Sequence, residues 1–438
     1  MPHEPSSPEG ASAANVEPGS APAPLSATGR AGRPARRLPD ALRQRDYALF
    51  LVAVVARALP GQMIAVAVGW QVYAIHRHPF DLGLVGLAEF LPLLLIALPA
   101  GQLADRTSRR LVFAVSVALS IVVAALLIPV TMSGARDLWP FLALGAVSGA
   151  AIGFGNAASR ALPPELVSKE LLPSAFALRS IATQGAVVVG PVLGGVLFAV
   201  QPESVYEVAL FLLLVSLGCA LALHRRGGWR PSEQAAPGWA HLLGGISFLR
   251  RSPVVSGLIL LDLFAVLFGG AVALLPVFAQ AILHTGPTGL GLLRSAPAVG
   301  AIAAGVLIAR LPATRRAGPL LLGTIALFGL SMIVFGLSRW LLLSVIALAV
   351  SGAADMVSVN IRGTAVALAT PNDLRGRVNA VETVFIGASN QLGAFESGAA
   401  AALFGTVPAV VAGGVITIAI AAAWTRLFPA LAALGRLR

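Results

Sequence analysis

Residues 101–110 read Gly101-Gln-Leu-Ala-Asp105-Arg106-Thr-Ser108-Arg109-Arg110. Four charges stand in ten residues, with a long apolar run on each side, near 82–103 and 111–132. A helix rises 1.5 Å per residue, so about 20 apolar residues cross a bilayer. The stretch therefore reads as a tight, cation-rich turn between two membrane spans. The same rule applied outward gives further spans near 49–74, 139–160, 174–200, 205–224, 253–283, 287–309, 318–338, 340–368, 377–404 and 406–428, twelve in all. The runs lack the alternating pattern of a membrane barrel. The fold class expected is an all-α membrane protein with two six-helix bundles.

Composition agrees. Of 438 residues, 57% are hydrophobic and 11% charged, against about 25% charged in an average soluble domain. That excludes an ordinary soluble enzyme and points to lipid as the main solvent. Residues 1–39 are rich in Pro, Ala, Ser and Gly and are expected to be a disordered tail. No short apolar stretch precedes Leu49, so no secretory signal is expected. A polar connection, 225–252, separates a bundle at 40–224 from one at 253–428, and 429–438 form a short tail. Trp229 and Trp239 in the connection suit a membrane interface. Cys219 is the single cysteine, so neither an internal disulfide nor a thiolate metal cluster is expected.

Lys and Arg number 31 and Asp and Glu 19, a net charge of +12. With the N-terminus inside, 24 of the cations fall in inside segments and only Arg77, Arg136 and Arg339 in outside loops. This is the positive-inside pattern, so the basic excess reads as topology and not as nucleic-acid binding. Both termini are expected in the cytoplasm.

An offset of about 203–205 residues aligns the two halves. Gly101 meets Gly305, Arg106 meets Arg310, Ala177 meets Ala380, Gly190 meets Gly393 and Gly195 meets Gly398. Transporters are often built from such repeats, with the substrate site at the repeat interface.

The turn at 101–110 resembles the G-x-L-A-D-R-x-G-R-R signature of the major facilitator superfamily, with Ser108 in place of a Gly. Thr370-Pro371-Asn372-Asp373-Leu374-Arg375-Gly376-Arg377-Val378 is similar to a stretch found in the branch that holds bacterial siderophore exporters. The runs at Asp355–Ser358 and Ser389–Gly393 are similar to that branch too, and the resemblance covers residues 40–430. It implies twelve-helix secondary transport across a bacterial inner membrane. It also implies that Asp105 meets the start of span 11 as a cytoplasmic latch across the halves. Gly101 belongs to the same motif, and Arg106, Arg109 and Arg110 would be free to hold carbonyls or acids at helix ends. Ala186-x-x-x-Gly190-Pro191-x-x-Gly194-Gly195 in span 5 resembles the antiporter signature. In the family that signature goes with export, whereas the same small residues also serve generic close packing.

A charge at the bilayer centre costs about 2.5–3.5 kcal/mol on insertion scales, so the charged residues within the spans are the candidates for function. Arg57 and Asp262 are repeat mates and are expected to bridge the halves, as a gate or site element or as a static structural pair. Arg179 and Glu382 are mates near the inner ends. Glu89 and Arg294 are mates farther out, with Glu396 at a depth similar to Glu89. Asp355, near the middle of span 10, could exchange a proton with solvent, as a proton-coupled exporter needs, with Glu89 and Glu396 as alternatives. Arg362, seven residues on, is about 10.5 Å away along the helix. Asn360, Asn390 and Gln391 read either as cavity hydrogen-bonders or as interhelical glue.

The function expected is proton-coupled efflux of an amphipathic small molecule, such as a siderophore or drug, by a monomer without cofactor or metal. A lipid or lysolipid translocator on the same fold, and a non-transporting sensor or scaffold, are the alternatives. An enzyme is the weakest reading, since no nucleophile–base set or phosphate loop lies at a plausible depth.

Overall fold

Long apolar runs punctuated by proline and charge become twelve long helices among the described residues of the computed structural model. It describes residues 38–134, 136–224, 247–310, 316–371, 374–432 and 435, except the side chains at 38, 39, 97–102, 104–106, 380, 383, 384, 388, 430 and 432. The helices are α1 (Arg45–His76), α2 (Pro79–Arg106), α3 (Arg109–Met132), α4 (Trp139–Ala161), α5 (Leu172–Val200) and α6 (Ser204–Ala222) in the first half. The second half holds α7 (Pro253–Gly269), α8 (Gly286–Arg310), α9 (Ala317–Leu337), α10 (Leu341–Ala369), α11 (Arg375–Phe404) and α12 (Thr406–Leu427). Proline stands in the first turn of α2, α4, α5 and α7, where a missing N–H leaves no partner unsatisfied. There is no strand among the described residues. The tail at 1–37, the connection at 225–246 and the side chains of Gly101, Asp105 and Arg106 lie outside the described residues.

Among the described residues, eleven helical segments are long and apolar enough to cross a membrane. The twelfth helix, α11, is 30 residues long but carries Arg375, Arg377, Glu382, Asn390, Gln391 and Glu396. Such a helix suits the interior of a bundle, where polar groups find partners, and not a lipid face.

Span 7 departs from a single helix. After Gly269 the chain passes through a 3₁₀ turn (Val272–Leu274), a short α turn (Leu275–Val277) and a π turn (Phe278–Ile282). The Gly269-Gly270 pair and Pro276 explain the break. The carbonyl of Gly270 accepts a hydrogen bond from the Ser397 hydroxyl of α11 at 2.8 Å.

The halves pack alike. In the first, α1 packs on α5 and α6, α2 on α4, and α3 on α4 and α6. In the second, α7 packs on α11 and α12, α8 on α10, and α9 on α10 and α12. The halves meet chiefly through α5 against α8 and α2 against α11. Glycine permits both seams. A Cβ on Gly195 would lie 2.4 Å from the Pro287 carbonyl, and one on Gly291 would lie 2.4 Å from the Pro191 carbonyl. Gly83 and Gly398 face each other across the other seam.

The apolar packing differs between the two ends of the bundle. One end carries most of the cations and is called the basic end. At the opposite end a single apolar cluster runs through both halves, with Val66, Val72 and Leu82 from one and Leu274, Phe278 and Leu290 from the other. Toward the basic end are two separate clusters, one around Tyr47, Phe50 and Phe113 and one around Leu258, Leu261 and Trp424. Side chains such as Val200 (81% exposed) and Leu342 (72% exposed) lie on the outer surface. A bilayer takes apolar groups there that water would not.

Candidate functional site: a polar cavity between the halves

A cavity of about 550 Å³ lies between the halves, lined by α1 to α6 on one side and by α7, α8 and α11 on the other. That volume is typical of small-molecule sites. Apolar side chains dominate its wall, interrupted by Arg57, Glu89 and Arg294 and by neutral polar groups.

Glu89 of α2 and Arg294 of α8, mates in the repeat, both line this cavity, opposite charges from opposite halves that do not approach within ion-pair distance. The Arg294 guanidinium also reaches the Ala65 carbonyl of α1 at 3.4 Å. Beyond them the cavity ends at a seal. There Gln280 of the π turn donates to the Trp70 carbonyl at 2.9 Å, Pro276 packs against Gly69, and the Phe80 and Phe395 rings lie 5.8 Å apart.

The expected bridge between Arg57 and Asp262 is replaced by two separate arrangements. Arg57 donates from Nη2 to the Ala151 carbonyl of α4 at 3.0 Å. Asp262 forms an ion pair with Arg362 of α10, both side chains largely buried. Glu382 of α11 shares a small cavity with that pair and attracts Arg362. The physical reason is packing: α7 touches α10 and α11 within its own half, so the acid finds a cation nearby. Arg362 is thus bound to Asp262 instead of acting on Asp355. Arg179 does not join Glu382; it lies near Tyr47, whose hydroxyl donates to the Ala175 carbonyl at 2.5 Å.

Asp355 lies outside the central cavity, on an exposed part of α10. It borders a small side cavity with Asp262, Thr324 and Ser358. Glu396 is partly buried on α11 and does not line the central cavity; Asn390 and Gln391 do, and Asn360 does not. Gln62, Ser148, Asn156 and Thr183 line it too. Sequence reasoning passed over these four, although each is a polar residue within an apolar run, the same signal that singled out Asn390.

In the turn at 101–110, the described arginines stay within their own half. Arg109 donates to the Ala161 carbonyl at 2.9 Å and pairs with Glu165 at 3.1 Å. Arg110 donates to the carbonyls of Leu223, at 2.5 Å, and Leu221. Both thus cover the unpaired carbonyls at the ends of α4 and α6. Contacts of Gly101, Asp105 and Arg106, and with them the latch to span 11, fall outside the described side chains. In the antiporter-like segment, Gly190 and Gly194 pack on Gln62 and Met63 of α1, while Pro191 and Gly195 form the seam with α8.

The whole bundle matches a family model described as transmembrane secretion effector, over residues 40–433. The chain belongs to the major facilitator superfamily. It is a multi-pass membrane transporter of that superfamily's transmembrane secretion effector family. Among its relatives is the enterobactin exporter EntS of Citrobacter koseri (strain ATCC BAA-895 / CDC 4225-83 / SGSC4696), 27% identical over 337 residues, 76% of this chain and 78% of the relative. The fold is similar to that of a POT family transporter in complex with 5-aminolevulinic acid, at TM-score 0.71 and 11% identity, over 89% of this chain and 97% of that one. It is also similar to a bacterial homologue of the iron transporter ferroportin in an inward-facing state, at TM-score 0.64 and 15% identity, over 89% of this chain and 99% of that one.

Proposed function

We propose that this transporter is a proton-coupled exporter of an amphipathic small molecule, a siderophore or drug, across a bacterial inner membrane. Its basic end and both termini face the cytoplasm, following the distribution of cations. The central cavity is the transport site, and the apolar seal beyond it closes the outer side. Alternating access rocks the halves about the cavity.

The observation that carries this reading is that Glu89 and Arg294, one from each half, both line the cavity. A charged Glu89 attracts Arg294 and holds α2 toward α8. A proton on Glu89 removes that attraction, so protonation and the relative position of the halves are linked. Asp355, beside Asp262 in the side cavity, is the second proton site. Export as the direction is supported by the small-residue segment of α5 and by relatives named as exporters.

The test uses inside-out vesicles with an acid interior and a panel of siderophores and amphipathic drugs that includes enterobactin. The chain is expected to accumulate a member of the panel. Glu89→Gln is expected to lose proton-driven accumulation while keeping substrate exchange at equilibrium. Full proton-driven accumulation by correctly folded Glu89→Gln and Asp355→Asn variants would overturn the coupling assignment.

A further inference from the structure

The described side chains lining the central cavity include two cations, Arg57 and Arg294, and one acid, Glu89. Glu89 and Arg294 lie near enough to influence each other, though not within ion-pair distance, whereas Arg57 has no charge partner of even that kind. Among the described residues no carboxylate lies within ion-pair distance of it. Its Nη2 is held by the Ala151 carbonyl at 3.0 Å, while its Nε is enclosed and has no hydrogen-bond partner. The chain makes room for this guanidinium: a Cβ on Gly155 would lie 2.1 Å from Nη2. A fixed, unmatched positive charge therefore stands in the wall of a cavity at membrane depth. Such a charge calls for a partner of opposite sign.

The rest of the wall describes the partner's body. No aromatic side chain lines the cavity among the described residues; Val68, Val85, Val123, Ile152 and Val187 supply branched aliphatic surface. Ring stacking is not offered there, whereas an alkyl or acyl chain meets favourable contact. We propose that Arg57 is an anion-recognising subsite, and that the cavity takes an amphiphile with an aliphatic body and one carboxylate. The planar guanidinium suits that headgroup by charge and by geometry. This inference rests on the reading of the cavity as the transport site.

The full chain in lipid nanodiscs, with empty nanodiscs as reference, tests it through three probes with one tail: N-octanoylglycine, its neutral primary amide, and the cationic mono-octanoyl ethylenediamine. The carboxylate is expected to bind about tenfold more tightly than the other two, as one charge-assisted contact allows. Arg57→Gln is expected to bring the three to parity, and Arg57→Lys to keep a weaker preference for the anion. Arg43→Gln, a change at the exposed Asp40 pair, is expected to leave the preference intact. If Arg57→Gln fails to fold, Gly155→Ala takes its place, because the added methyl displaces the guanidinium and should weaken the carboxylate alone. Equal binding of the three probes, no binding of any, preference for the cation, or an undiminished anion preference in folded Arg57→Gln would each overturn the subsite. Anion preference without proton-driven flux in vesicles would defeat the export reading and leave the subsite standing. Flux without that preference would do the reverse.

Discussion

In the first half of the molecule Arg57 rests on a backbone carbonyl, while Asp262, its counterpart in the second half, holds Arg362 with Glu382 beside it. The helices carrying them pack alike, α1 on α5 and α6, α7 on α11 and α12. Their backbones differ in one respect: α1 runs unbroken for 32 residues, whereas span 7 breaks after Gly269. The lesson is that the repeat preserves the scaffold and lets the chemistry diverge. One half leaves a cation without a carboxylate partner among the described residues, and the other closes its charges on one another.

This contrast can be tested by removing one charge at a time. The largest effect is expected for Asp262→Asn, which takes from Arg362 its ion-pair partner and leaves only Glu382 beside it. Breaking a buried pair on one side costs about 3–5 kcal/mol, read as a large fall in melting temperature of the detergent-solubilised protein. The triple change Asp262→Leu, Arg362→Met and Glu382→Gln, which leaves no charge of the cluster behind, should recover most of it. If the single change is silent, the second half does not depend on that pair.

Next in size is the seam that both halves share. Gly195→Val places a side chain against the Pro287 carbonyl; overpacking of this kind costs about 1–3 kcal/mol. The same assay, with vesicle transport beside it, should show lower stability and slower flux. Unchanged values would mean that the α5–α8 seam yields easily.

Arg57→Met sharpens the comparison from the other side. It gives up one hydrogen bond but also removes an unmatched charge, and the two terms oppose each other. Net stability should change by less than about 1.5 kcal/mol, far less than for Asp262→Asn. A collapse as severe as that of Asp262→Asn would show that Arg57 is a structural element after all. The smallest effect belongs to Ser397→Ala, which frees the Gly270 carbonyl at the break. Interhelical hydrogen bonds in membranes average about 0.6 kcal/mol, so only a slight drop in melting temperature is expected.

The spans were legible because a bilayer imposes length and apolarity on every crossing segment. Glu89 and Arg294 could be placed at one level because mates in a repeat share a depth, and both line the cavity. Depth was all that such matching supplied. Which way a side chain points around its helix decides its partner, and that is why Asp262 was joined to Arg57 in place of Arg362. Arg362 itself was read along its own helix, toward Asp355, when its contact lay across to α7. The Gly269-Gly270 pair and Pro276 were visible signs of the break in span 7. The bond from Gln280 to the Trp70 carbonyl had no sign, since any glutamine in an apolar run looks the same.

That last contact has an optical consequence. Among the described residues no indole or phenol ring lines the cavity, so a ligand settling there meets no fluorophore. Trp70 stands instead at the seal, its carbonyl held by Gln280 from the opposite half. Its emission should stay quiet while cargo merely binds and shift in wavelength when the seal parts and water reaches the ring. A protein that keeps Trp70 and replaces its other tryptophans by phenylalanine would thus carry a built-in signal that separates occupancy from opening.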